Sequence, residues 1–146
     1  MIGEFGSNLT DVGRPPGEGL DRLNAADARG SYRATELAPR GAQSWTFTVR
    51  WRDRGAGLSL RREKVIPYYH LGEIDQTGSQ HLSLITSYSL IHLEGEGLSL
   101  VLANLRKRQV DAIQEWDPDL WDRPAAGEPV ISRVWVEAVG SMRRAV

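Results

Sequence analysis

Two histidines and a glutamate within residues 81–95 have the spacing in this sequence that best suits metal binding. Two apolar runs flank a small polar turn, a pattern that predicts a β-hairpin. If residues 87 and 88 form the centre of the turn, His81 pairs with Glu94 and lies diagonal to His92, roughly 7 to 8 Å away at Cα. Two imidazoles and a carboxylate suit zinc or iron, so His81, His92 and Glu94 are a candidate divalent-metal site for a metal-dependent enzyme. The alternative is an ordinary polar sheet face, because no motif such as H-E-x-x-H is present.

The same register assigns the opposite face of the hairpin to the core. Leu82, Leu84, Ile91 and Leu93 share that face, because successive side chains on a strand point to opposite sides of the sheet. We therefore expect these four side chains to be buried and the histidine face to be polar.

A second candidate site is the concentration of arginine around the first predicted turn, residues 50–64. Guanidinium groups bind phosphate oxygens in a bidentate geometry, and Trp51 or Tyr68 could stack on nucleic-acid bases. The sequence therefore predicts an RNA- or phosphate-binding surface. The alternative is that these residues pair with the acidic segment after the predicted helix, because the net charge is only -1. The predicted binding residues are Arg50, Arg52, Arg54, Arg61, Arg62 and Lys64. The acidic residues of the alternative are Asp111, Glu115, Asp117, Asp119 and Asp122.

Several kinds of catalysis are excluded or unsupported by the residue types and motifs present. There is no cysteine, which excludes thiolate catalysis, disulfides and cysteine-ligated zinc. The G-x-S-x-G motif of serine hydrolases is missing, and GEGLS at 95–99 lacks the G-K-[ST] ending of a phosphate-binding loop. His70, Glu73 and Asp75 are close in sequence, but on a strand the histidine faces away from the two carboxylates. We therefore expect no catalytic activity and predict no cofactor, apart from the divalent metal considered above.

The elements that must position these residues follow from the spacing of apolar side chains. Strict alternation over residues 45–51 predicts a half-buried strand, and residues 58–69 continue extended. After the hairpin the period becomes that of a helix, at about residues 97–108, with apolar residues at i, i+3, i+4 and i+7. Residues 110–116 and 129–140 are again extended. The apolar positions of the helix are Leu98, Val101, Leu102 and Leu105.

This order of elements predicts a β-rich α+β fold. One short amphipathic helix is expected to cover a curved antiparallel sheet or a small β-barrel. With 40% of its 146 residues apolar, the chain can bury one modest core, which we place in a single domain at residues 45–140. Residues 1–44 are expected to form a flexible or loosely docked tail, and residues 141–146 a short C-terminal tail.

The segment from residue 65 to residue 105 combines an I-P-Y strand, an x-I strand, a hairpin of the form L-x-L … I-x-L-E-G and an amphipathic helix. Over about residues 58–113 this pattern resembles small bacterial β-modules of the pleckstrin-homology-like or Sm-like type. The pleckstrin-homology-like order fits better, because an Sm fold usually opens with its helix and residues 20–37 suit one poorly. Both kinds are generally binding or assembly modules, so the resemblance implies no reaction.

From these observations we expect a non-catalytic binding or assembly module that associates with itself. Short sheets with exposed edges and many aromatic residues favour a homo-oligomer. RNA or another protein is the alternative partner. We expect a cytoplasmic protein that does not bind membranes, because no apolar run approaches the roughly 18 residues of a membrane span and no signal peptide is recognisable.

Overall fold

The strands expected from the alternating segments are present in the computed structural model, which describes residues 30–57 and 59–139. In chain order the elements are β1 (Thr35–Leu37), β2 (Thr46–Asp53), β3 (Leu60–Pro67), β4 (Leu71–Thr77), β5 (His81–Thr86), β6 (Ser89–Glu96), α1 (Leu98–Arg106), β7 (Val110–Gln114) and β8 (Val130–Ala138). The prediction of a β-rich α+β fold with one short helix is confirmed for the described residues. The predicted helix bounds were one residue early and two residues late.

The strands form two sheets rather than one. The first sheet has the order β1-β7-β2-β3 and the second the order β4-β5-β6-β8, and in the described chain neither closes into a barrel. Among the described strands, the pairing of β2 with β7 is parallel and the others are antiparallel. The structure is consistent with the expected curved-sheet α+β fold, but the expected small barrel is wrong, and the strands are divided between two sheets with one parallel pairing. The physical reason is that the chain after α1 returns to the first sheet in the same direction as β2, and strand periodicity carries no information about the pairing partner.

The hairpin formed by β5 and β6 has the predicted register. His81 pairs with Glu94, Ser83 with His92 and Ile85 with Leu90. The predicted core face is confirmed, because the side chains assigned to it are fully buried. Leu82, Leu84, Ile91 and Leu93 each have 0% exposure.

Helix α1 closes one side of this core. Leu98, Val101 and Leu105 are buried, and Leu102 packs against the same cluster. The helix begins directly after Gly97, whose φ of 69° lies in the left-handed region that glycine adopts without steric cost. The periodicity of the sequence thus identified both the helix and its buried face.

The described part of the predicted N-terminal tail takes part in the fold. Strand β1 pairs with β7, and the hydroxyl of Tyr32 donates to the carbonyl oxygen of Gln114 at 2.5 Å. The same hydroxyl accepts the N–H of Ile131 at 3.0 Å. Tyr32 therefore links β7 of the first sheet to β8 of the second. The rest of that tail, residues 1–29, and the predicted C-terminal tail, residues 141–146, lie outside the described residues.

Candidate functional site

An open groove of about 900 Å³ is present in the described part of the chain. It lies between the loop at residues 123–128 and the strand ends around His81, Glu94 and Val130, and we call it the loop groove. Such concave surfaces are where proteins usually bind their ligands. Two of the three residues predicted to bind a metal, His81 and Glu94, therefore line this groove.

Two hydrogen bonds of Trp116, one of them to β8, hold one end of the loop of the groove in place. The backbone N–H of Trp116 donates to the carbonyl oxygen of Ile131 at 2.8 Å, and its indole N–H donates to the carbonyl oxygen of Asp122 at 3.0 Å. Within the loop, the N–H of Glu128 donates to the carbonyl oxygen of Ala125 at 3.3 Å, which closes a turn. The groove is thus preformed, with Trp116 fixing one end of its wall.

A β-bulge shapes the opposite wall. The pairing of β6 with β8 shifts between Glu94 and Gly95, so that Ser132 has no partner on β6. The hydroxyl of Ser132 donates to the carbonyl oxygen of Glu94 at 3.1 Å, and the N–H of Gly95 donates to the carbonyl oxygen of Gln80 at 3.0 Å. A bulge of this kind bends the strand and changes the direction of neighbouring side chains.

The lining of the loop groove is acidic and partly apolar. Glu94, Glu96 and Glu128 face one basic residue, Arg123, while the ring of Trp116 adds an apolar surface. Carboxylates at the rim of an apolar groove favour a cationic ligand with some apolar surface. The three glutamates and Arg123 sum to a net charge of -2.

His92, the third predicted metal ligand, belongs to a stacked row on the outer face of the second sheet. Its ring lies 5.5 Å from the ring of His81 and 4.6 Å from that of Trp135, centroid to centroid. Nε2 of His92 lies 2.8 Å from a carboxylate oxygen of Glu137, and Nδ1 lies 3.4 Å from the hydroxyl of Ser83. Both ring nitrogens therefore face partners within the protein.

No group of three or more histidine, aspartate and glutamate side chains in the described residues is arranged so that it could hold a metal ion. His81 and Glu94 open into the loop groove, while His92 is engaged by Glu137. The metal site at His81, His92 and Glu94 is therefore not part of the function proposed below.

Ser83, His92 and Glu137 are the residue types of a hydrolytic triad, which sequence reasoning did not identify. Ser83 is only 8% exposed and lies in β5, between β4 and β6. The backbone N–H groups around it belong to a sheet and are not free to stabilise an oxyanion. The arrangement lacks what acyl transfer requires, and we interpret it as a polar network on a sheet face.

The predicted basic residues are divided among several acidic partners. Nε of Arg50 donates to Glu63 at 2.8 Å on an exposed surface. Arg52 and Arg61, which pair directly across β2 and β3, share the carboxylate of Asp117. The intramolecular pairing of basic and acidic segments that was the alternative interpretation is therefore present here. Of the remaining predicted residues, Arg54 pairs with Glu115, Arg62 pairs with Asp53, and Lys64 lies opposite Val49.

Glu115 is a buried acid that joins the two sheets, with 0% exposure. One carboxylate oxygen accepts the N–H of Arg52 in β2 at 3.1 Å, and the other accepts the N–H of Val134 in β8 at 2.8 Å. A guanidinium nitrogen of Arg54 lies 3.3 Å from both oxygens. In the sequence, Glu115 was only one of five acids that could pair with the basic residues, and no pattern distinguishes it from the other four.

Asp117 is the second buried acid of this region, and its titration should be measurable. Burial by itself raises the pKa of Asp117, but the N–H of Asp119 and the guanidinium groups of Arg52 and Arg61 outweigh it, so the pKa lies below its usual value. A carboxylate with a depressed pKa in the folded state adds stability above its unfolded pKa, roughly 3.9, and loses it as the pH falls through the folded pKa.

We therefore expect the free energy of unfolding to decrease as the pH drops below about 4. The decrease should be smaller in Asp117→Asn than in the wild type. Urea denaturation at several pH values between neutral and acidic would measure it. Asp75→Asn, at an exposed position of β4, is the control and should keep the wild-type dependence. Identical pH dependence in Asp117→Asn and the wild type would contradict the assigned ion pairs.

Comparison of the chain with protein-family models, curated proteins and solved structures finds no match. The resemblance to pleckstrin-homology-like or Sm-like modules therefore stays a prediction. No helix among the described residues has the length and apolar character needed to span a membrane.

Proposed function

We propose that this protein is a non-catalytic binding module whose ligand occupies the loop groove. The observation that carries the proposal is the groove itself, a preformed cavity of about 900 Å³ beside the bulge of β6 and β8. Its volume lies within the range of ligand sites, roughly 300 to 1,000 Å³. The loop and the bulge hold the two walls through backbone hydrogen bonds, so little ordering is needed on binding.

The ligand class follows from the lining. Glu94, Glu96 and Glu128 surround a surface that Trp116 and Pro124 make partly apolar. An extended peptide that alternates basic and apolar side chains matches both features, because ammonium or guanidinium groups meet the rim while apolar groups cover the ring. We propose such a basic peptide segment as the ligand.

The proposal is tested by reversing charge at two exposed rim positions, Glu96→Lys and Glu128→Lys. A short peptide of alternating Lys and Leu is expected to bind the double variant about tenfold more weakly than the wild type, since each exposed charge contributes roughly 0.5 to 1 kcal/mol. The matching peptide of alternating Glu and Leu is expected to prefer the variant. Titration followed by the NMR signal of the Trp116 indole N–H reports binding at the groove.

Two exposed acids outside the groove provide a matched control. Glu73→Lys with Asp75→Lys makes the same change of net charge on β4 and should leave the affinity for the Lys–Leu peptide within about twofold of wild type. Equal weakening by both double variants would show that net charge, and not the groove, determines binding. A wild type that binds neither peptide would contradict the proposed ligand class.

Self-association stays a prediction from the sequence. Strands β3 and β4 lie at the ends of the two sheets, and both carry charged side chains such as Arg61 and Glu73. Charged residues on an edge strand oppose strand-to-strand pairing. Several aromatic side chains offer exposed surface instead: Trp45 is 80% exposed, Tyr69 77% and Tyr88 71%.

A further inference from the structure

A second, smaller cleft lies where the ends of β2 and β3 meet β8, with a volume of about 330 Å³. Its lining includes the guanidinium-bearing residues Arg54, Arg62 and Arg133 together with Trp51 and Trp135. We propose that this arginine–tryptophan cleft binds a phosphate group, either free or as part of a nucleotide. The proposal is independent of the loop groove, which has the opposite charge and a different lining.

Two of the guanidinium groups are held against indole rings. Cζ of Arg62 lies 5.3 Å from the ring centroid of Trp51, and Cζ of Arg133 lies 4.6 Å from that of Trp135. The Trp135 ring is itself stacked on His92 at 4.6 Å. Cation–π contacts of this kind restrict flexible side chains before a ligand arrives, which lowers the entropy lost on binding.

Asp53 also lines the cleft, and Arg52 and Arg54 pair with the buried Asp117 and Glu115. The charge available to an anion therefore comes from Arg62 and Arg133. Among the described residues, Arg133 makes no ion pair within 4.0 Å. Arg62 pairs with Asp53 at 3.0 Å, but both side chains are largely open to solvent, at 56% and 37% exposure. An exposed pair of this kind is weak, so a dianion can compete for the guanidinium.

Phosphate fits this geometry better than a carboxylate does. Arg62 belongs to the first sheet and Arg133 to the second, so each sheet contributes an arginine to the lining of the cleft. A phosphate group has enough oxygens to accept hydrogen bonds from both, whereas a carboxylate has only two oxygens and is satisfied by a single bidentate arginine. The cleft volume is at the lower end for ligand sites, which suits one nucleotide unit.

The test compares the wild type with the double variant Arg62→Gln/Arg133→Gln. Three probes are titrated into each protein: inorganic phosphate, uridine 5′-monophosphate and a short oligouridine RNA. Phosphorus NMR and calorimetry measure the affinity of each probe. We expect binding to the wild type and at least tenfold weaker binding to the double variant. Arg33→Gln/Arg40→Gln is the control, because it removes two exposed arginines that line neither the cleft nor the loop groove, and it should change the affinity less than twofold.

The three probes distinguish the source of the phosphate. Binding of inorganic phosphate and nucleotide identifies a small-molecule site, while binding of RNA alone that is lost in the double variant assigns the phosphate to a nucleic acid. RNA binding that survives the double variant, or no binding of any probe at millimolar concentration, would overturn the proposal. Arg62→Lys/Arg133→Lys keeps both charges and should still weaken binding, so wild-type affinity in this variant would overturn the role of the indole-supported guanidinium groups.

Discussion

Gly95→Ala is expected to lower the free energy of unfolding by about 3 kcal/mol or more. A Cβ atom on residue 95 would lie 1.8 Å from the carbonyl oxygen of Val130 and 2.9 Å from Cα of Ile131. Both are backbone atoms of β8, which cannot move aside as a flexible side chain would. The substitution therefore forces the two strands apart at the bulge, where the loop groove has its wall.

Thermal and urea denaturation of the purified variant would measure this effect, and we expect the melting temperature to fall by about 10 °C or more. Gly72→Ala is the matched control, because its added Cβ would meet the nearest atom, the carbonyl oxygen of Ile85, at an ordinary 3.7 Å. That variant should be within about 0.5 kcal/mol of the wild type. Equal stability of Gly95→Ala and Gly72→Ala would show that the strands do not approach each other as described.

The register of the hairpin could be predicted from the sequence, but the bulge beside it could not. The register of β5 and β6 was predictable because Leu82 and Ile91 share a face that a slip of one residue would have exposed. The bulge at Gly95 was not, since a glycine at a strand end is equally typical of a turn. Local patterns thus identified a strand and its faces, but not where it departs from regular pairing.

The division of the strands into two sheets could not be predicted from the sequence, for a related reason. Strand β7 is apolar on both sides, with Val110, Ala112 and Ile113 buried, and such a segment can pair in either direction. Its parallel pairing with β2 depends on where α1 and its loop return the chain. Contacts between residues far apart in sequence decide this, and no local period records them.

For each of the two candidate sites, only some of the residues could be identified from the sequence. His81 and Glu94 were identified from hairpin pairing and do line the loop groove, although the residues 123–128 that complete it have no period. Arg54 and Arg62 were identified from composition, whereas Arg133 joins them only because β8 pairs with β6. Both sites therefore combine residues that are far apart in the sequence.

Glu115 holds β2 and β8 together at the arginine–tryptophan cleft, because it accepts the N–H groups of two residues that line it, Arg52 and Val134. We expect Glu115→Gln to lower the free energy of unfolding by about 3 kcal/mol. The amide group has one acceptor oxygen, so its NH₂ would face a backbone N–H of Arg52 or Val134, donor against donor. A buried N–H would then have no acceptor.

Urea denaturation compares this variant with Glu63→Gln, which makes the same change in an ion pair at the surface. Glu63 and its partner Arg50 have side-chain exposures of 56% and 32%, so we expect a loss below about 1 kcal/mol. Arg54→Met removes the remaining partner of Glu115 and should cost less than Glu115→Gln, because the two backbone donors still hold the carboxylate and Arg54 is 55% exposed. If Arg54→Met were the more damaging change, the carboxylate would be held mainly by the guanidinium, and the seam between the sheets would depend on a salt bridge rather than on the backbone of β2 and β8.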